Sequence, residues 1–315
     1  MFSFYGFPYI ADIIFAYVIT PIWFVSLILS IFSLFILLKT PFFASNFFKY
    51  MRLYVTNCVI LSVISLTTIV PFTRRFFSIA NTYESLLSGI YAFWFVGNSL
   101  ILFSSSIEIC LVVERILYLL PRRFKRIKLM GFYKFFCIQF VICILVNVPG
   151  IFLFEPAFAD TQLDQKTLFR IWYFGPTAFS SSLTGQILNY FAYFFQNFLP
   201  MILKIIFNSL SIYLVGKYVK NKQRIRAASS SELVNFDRKQ TYIAIIMNIF
   251  SLLEHLLNVT YYVLYFINSY DLCTLVYVVA LFCIALKHLL IFFVLLLFNN
   301  LFRSEIGNCF RYAPV

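Results

Sequence analysis

Charged residues are scarce in this chain. Asp, Glu, Lys and Arg make up 12% of 315 residues, and hydrophobic residues 62%, where soluble domains carry about 25% and about 45–50%. A water-soluble fold has nowhere to put so much apolar surface. Histidine is nearly absent, with His255 and His288 alone, and no cysteine pattern of ligand spacing accompanies them, so no metal site is built. There is no Gly-rich phosphate loop, no redox CxxC, and no nucleophile with a base and an orienting acid. An enzyme is not expected, and no cofactor is implied. No Gly/Ser/Pro-rich linker divides the sequence, which reads as one membrane domain over residues 1–315. The first apolar run has neither a basic segment before it nor a small-residue cleavage site after it, so it is expected to be a retained span.

What is present is a series of apolar runs near the 20 or so residues a spanning helix needs. Seven occur, at about 13–38, 53–73, 87–117, 132–154, 190–216, 242–267 and 275–298. The expected fold is therefore an all-α membrane protein, a seven-transmembrane helix bundle. The third run exceeds the bilayer requirement and should tilt or project. Cations set the orientation, because Lys and Arg near span ends stay cytoplasmic. Nineteen of the 25 lie after runs one, three and five or in the tail; four lie on the other side, and Lys204 and Lys287 lie within runs. The N-terminus is thus expected outside and the C-terminus in the cytoplasm. The net charge of +13 is spread over these inner loops, where anionic lipid attracts it, so membrane lipid and not nucleic acid is the expected partner. The longest outer segment, Glu155 to Asn189, reads as an irregular lid. The sequon at Asn258 falls inside a span, out of reach of glycosylation, and Pro200 should kink or loosen the fifth span.

Ionisable residues inside a bilayer cost about 2.5–3.5 kcal/mol each on insertion scales. Glu108, Lys204, Glu254 and Lys287 are four such residues, and their formal charges sum to zero. Glu254 and Lys287 both lie roughly 17 Å from the inner ends of their spans at 1.5 Å per residue, which suggests a Glu254–Lys287 pair and, by the same depth, Glu108–Lys204. These charges serve either as structural glue or as a ligand-contacting switch. The two histidines read as polar bundle residues. In the loop after span five, Arg226-Ala-Ala-Ser229 offers Ser229 for phosphorylation, which would set negative charge among cations; an unmodified loop gripping lipid is the alternative.

At the inner end of span three stands Glu114-Arg115, with Pro121, Arg122 and Arg123 following. After span seven comes Phe298-Asn299-Asn300-Leu301-Phe302-Arg303, then Cys309. Together with Pro200 and the topology, these resemble a rhodopsin-like G-protein-coupled receptor. Ile116 replaces the usual aromatic, and Ile291, Phe292 and Leu295 stand where Asn-Pro-x-x-Tyr is typical. Span six lacks Cys-Trp-x-Pro, and no outer disulfide can be drawn. A divergent invertebrate-type receptor, chemosensory or orphan, is the narrower placement. The resemblance implies a plasma-membrane, multi-pass receptor that binds an extracellular ligand within the bundle and activates a heterotrimeric G protein. It also implies an inner latch of Glu114, Arg115, Pro121, Arg122 and Arg123, a short amphipathic helix on the inner membrane surface over 299–315, and a palmitoyl anchor at Cys309. The competing class is a seven-span transporter or ligand-gated channel, including the odorant-gated channels of opposite orientation.

Overall fold

A computed structural model describes residues 14–39, 46–72, 87, 89–119, 132–158, 172–225, 231–266 and 270–311. Long helices dominate. Helix α1 spans Thr20–Leu37, entered through a π-helical turn at Phe15–Ile19, with a proline in its first turn where the missing N–H is harmless. Helix α2 is Asn46–Phe72, α3 is Asn98–Leu119 continuing from a π-helical segment Gly89–Gly97, and α4 is Phe132–Ile151. Strands β1 (Phe154–Phe158) and β2 (Trp172–Pro176) pair antiparallel, Glu155 opposite Gly175. Short α5 (Ala178–Ser181) leads to α6 (Leu183–Tyr193), a π-helical segment Phe194–Phe198 and α7 (Leu199–Ile225). Helices α8 (Ser231–Phe266), α9 (Tyr270–Phe298) and α10 (Asn300–Arg311) complete the order.

Helix α1 packs on α2 and α9, α9 on α8, and α8 on α7; α3 touches α2, α4, α7 and α8 and so runs through the middle. Burial is inverted relative to a soluble protein. On α1, Ser26, Ser30 and Ser33 face inward at 0–1% exposure, while Phe24, Ile28, Ile31 and Phe35 are 51–59% exposed. Small hydroxyl side chains let helix backbones approach and hydrogen-bond locally, as Ser33 does to the Leu29 carbonyl at 2.7 Å. An apolar exterior over a small-polar interior suits lipid and not water. The protein is a multi-pass membrane protein. Ser30→Phe is expected to overpack the α1 contact by about 1–3 kcal/mol and lower the monodisperse yield in detergent, whereas Ile31→Phe, on the lipid face, should leave that yield unchanged.

Among the described residues, six helices are long and apolar enough to cross a membrane: Tyr17–Leu37, Phe47–Thr67, Lys134–Ile151, Leu183–Lys217, Tyr242–Leu264 and Leu275–Phe298. The third expected span is not among the six. Its rod is long, from Gly89 to Leu119, but a central helix surrounded by protein carries Glu108, Glu114, Arg115 and several serines in place of lipid-facing apolar residues. Other boundaries move outward. Helix α2 begins seven residues before the expected start and places Lys49 and Arg52 in helix, and α8 begins at Ser231. Apolar runs mark only the part of a helix inside hydrocarbon.

The segment expected as an irregular lid is instead ordered at both ends by the β1–β2 hairpin and by α5 and α6. Thr177 caps α5 by accepting the Ser180 N–H at 3.1 Å, and Ser182 caps α6 by accepting the Gly185 N–H at 3.0 Å. Gly185 is required there, because a Cβ would collide with the Phe179 carbonyl. Pro200 acts through its neighbours: a proline cannot donate to the carbonyl four residues back, and the π-helical segment Phe194–Phe198 sits directly before it.

Candidate functional site

Four helices deliver charge to one point. Glu108 comes from α3, Lys204 from α7, Glu254 from α8 and Lys287 from α9, each at most 4% exposed. Lys204 Nζ lies 2.7 Å from Glu108 Oε2 and Lys287 Nζ 2.6 Å from Glu254 Oε2, the two pairs that depth along the spans suggests. A third contact joins them: Lys287 Nζ is 3.4 Å from Glu108 Oε1. The result is one network of alternating sign and zero net charge, the arrangement in which buried ions can persist.

Hydroxyls and a histidine complete the shell. Lys204 is within reach of Ser105 Oγ at 3.2 Å, the Ser251 hydroxyl and His255 Nε2 at 3.2 Å, in addition to Glu108. An ammonium has three N–H donors, so four acceptors share three protons. Lys287 reaches Ser251 at 3.4 Å. His255 Nε2 also lies 3.0 Å from Ser105 Oγ, so that nitrogen meets both the hydroxyl and the Lys204 ammonium. His288 is held the same way from the other side: its Nδ1 donates to the Ile284 carbonyl at 2.7 Å, while its ring lies 5.4 Å from Trp23 and stacks on Tyr54 with 5° between planes. Both histidines are buried polar residues of the bundle, as the sequence suggests.

Toward the hairpin, one to two helical turns beyond this network, the helices part around a cavity of about 190 Å³. Six amide side chains line it: Asn98, Asn147, Asn189, Gln196, Asn197 and Asn258. Aromatic walls come from Trp94, Tyr193, Tyr261, Tyr262 and Tyr277. None of Glu108, Lys204, Glu254 or Lys287 is in the lining. Both π-helical segments nearest the cavity turn residues into it, Trp94 from the first and Gln196 and Asn197 from the second; such wide turns recur at functional sites because they re-aim side chains. Gln196 donates to Asn147 Oδ1, Asn147 Nδ2 donates to the Cys143 carbonyl at 2.7 Å, and the Tyr193 hydroxyl donates to the Asn258 carbonyl at 3.2 Å.

At the opposite end Arg115 is 4% exposed. Its Nη2 and Nε lie 2.6 and 2.8 Å from Glu114 Oε2, and its guanidinium is 4.8 Å from the centre of the Phe47 ring of α2. The pair is thus closed within one helix and pressed against its neighbour. Pro121, Arg122, Arg123 and Ser229 lie outside the described residues. Helix α10 is capped by Asn299, whose Oδ1 accepts the Phe302 N–H at 3.1 Å. Phe302 is fully buried against Phe292, while Arg303 and Ser304 are exposed. Lys39, just after α1, ties this helix down through Glu305 Oε2 at 3.0 Å and Cys309 Sγ at 3.1 Å. These two hydrogen bonds, Cys309 first, raise the Lys39 pKa above its usual value.

No protein-family model matches the chain, and no curated protein matches it either. The site must therefore be read from its own residues. The buried charges are conspicuous in sequence because each is an ion in an apolar run. The cavity is not, since Asn, Gln and Tyr are tolerated singly in membrane helices. The available signal was the recurrence of amides inside spans, at Asn98, Asn147, Gln196, Asn197 and Asn258. Among the described residues no group of His, Cys, Asp and Glu could hold a metal ion.

Proposed function

We propose that this protein is a seven-transmembrane receptor of the plasma membrane that binds an extracellular ligand between its helices and activates a heterotrimeric G protein. One observation carries the reading: the cavity and the charge network are stacked on the same helices. Asn258 follows Glu254 by one turn of α8, and Ile284 precedes Lys287 by one turn of α9. A ligand that separates those turns works directly on the Glu254–Lys287 pair and, through Lys287, on Glu108 of α3. Ligand binding shifts a conformational equilibrium only through different affinities for its states, and a network with a shared acid offers two arrangements. The central rod Gly89–Leu119 would serve as the seventh span, and the cation distribution supports an orientation with the hairpin and cavity outside and α10 inside. On the inner face Glu114 holds Arg115 against α2, and α10 lies on the membrane surface.

Two measurements test this. An epitope tag at the N-terminus should be reached by antibody on intact cells, and one at the C-terminus only after permeabilisation; the reverse pattern supports an inverted channel and sinks the receptor reading. In membranes with purified G proteins of each α-subunit class, Glu114→Gln should raise basal nucleotide exchange several-fold by releasing Arg115, and Arg115→Ala should abolish it. No exchange by the native protein or by Glu114→Gln with any class would refute G-protein coupling.

A further inference from the structure

We infer that the cavity takes an uncharged, single-ring aromatic molecule carrying a hydroxyl or amide, and discriminates against charged congeners of the same ring. The inference names the ligand class for the site proposed above and rests on that reading only for what binding triggers.

Size comes first. About 190 Å³ is below the 300–1,000 Å³ of drug-sized sites and equals roughly six water molecules' share of liquid volume, which suits one ring with a short substituent. Charge is decided by what the walls lack: among the described residues no Asp, Glu, Lys, Arg or His lines the cavity. The nearby ions already neutralise one another, so a charged guest would lose its water without gaining a counter-ion.

Polarity is decided by the amides. Asn197 is 7% exposed and lines the cavity, and the half-buried Asn189 and Asn258 line it as well. An amide both donates and accepts, and a buried one left unmatched costs stability. Hydroxyls and carboxamides match it in both senses. Shape is decided by the rings, since Trp94, Tyr193 and Tyr277 line the cavity, and amphipathic rings favour an aromatic guest.

The test uses the full-length protein in lipid nanodiscs, without G protein, with four probes sharing one ring: 2-phenylethanol, phenylacetamide, phenethylamine and phenylacetate. Thermal unfolding is followed with a thiol-reactive dye reporting exposure of the buried Cys58 and Cys143. The alcohol and the amide should raise the Tm saturably, with apparent affinity at least tenfold above both the ammonium and the carboxylate. Asn197→Leu should lose that preference. Asn258→Leu, at a half-buried position, should do the same if the first variant folds poorly. Equal or stronger stabilisation by a charged probe, no saturable shift with either neutral probe, or affinity unchanged in a folded variant would each overturn the inference. Saturable binding without nucleotide exchange would defeat only the receptor reading, and exchange without saturable binding only the ligand class.

Discussion

Lys287→Met should cost about 3–5 kcal/mol, because removing one partner of a buried pair leaves the other charge uncompensated. Here the loss is compounded. Lys287 contacts both Glu254 and Glu108, so the variant leaves two carboxylates facing the single Lys204. Surface expression and the half-life of the detergent-solubilised protein should both fall steeply. The double variant Glu254→Gln/Lys287→Met should recover most of the loss, since it restores zero net charge and keeps the Glu108–Lys204 pair. Recovery identifies charge balance, and not the shape of the lysine, as the structural requirement. If Lys287→Met instead reaches the surface at the native level but signals without ligand, the network acts as the switch and not as glue.

Glu108→Gln is expected to be the most damaging of the single carboxylate changes. Glu108 is the only acid of the four that meets both lysines, at 2.7 and 3.4 Å, whereas Glu254 meets one at 2.6 Å. Its loss severs α3 from α7 and α9 together and leaves two ammonium groups with one carboxylate. The deficit relative to Glu254→Gln should be at least about 1.5 kcal/mol, the lower value for a hydrogen bond to a charged group. Double-mutant cycles on thermal stability should give a larger coupling for Glu108 with Lys204 than with Lys287, in the order of the distances. Equal costs for the two glutamine variants would show that Glu108 is not the bridge.

Several parts of this were legible in sequence, and the reasons are specific. Asp, Glu, Lys and Arg inside apolar runs stand out because each must be compensated, so Glu108, Lys204, Glu254 and Lys287 are visible without coordinates. Helical rise converts their positions into depth, which is enough to match acid to base when the helices are neighbours. Depth carries no azimuth, and for that reason the link from Lys287 to Glu108 did not emerge. The cavity is invisible in sequence for a related reason: amides spread over distant helices have no shared sequence signature and become a site only when the helices bring them together. The hairpin was missed because a short pair of strands between long apolar helices, with thirteen residues between β1 and β2, lacks a tight-turn signal.

The sequence by itself determined that the chain is a helical membrane protein and that its interior ions balance. Composition and helical periodicity suffice for these, because the bilayer forces every backbone polar group to be satisfied within its own segment. Tertiary structure alone decided which face of each helix looks inward. It made Glu108 the bridge among four helices, put Arg115 against Phe47, and opened an amide-and-tyrosine cavity one to two turns from the ions. Those facts depend on the rotation of each helix about its axis, and in lipid that rotation is set by close packing of small residues and by interhelical hydrogen bonds, which arise only between segments far apart in the chain.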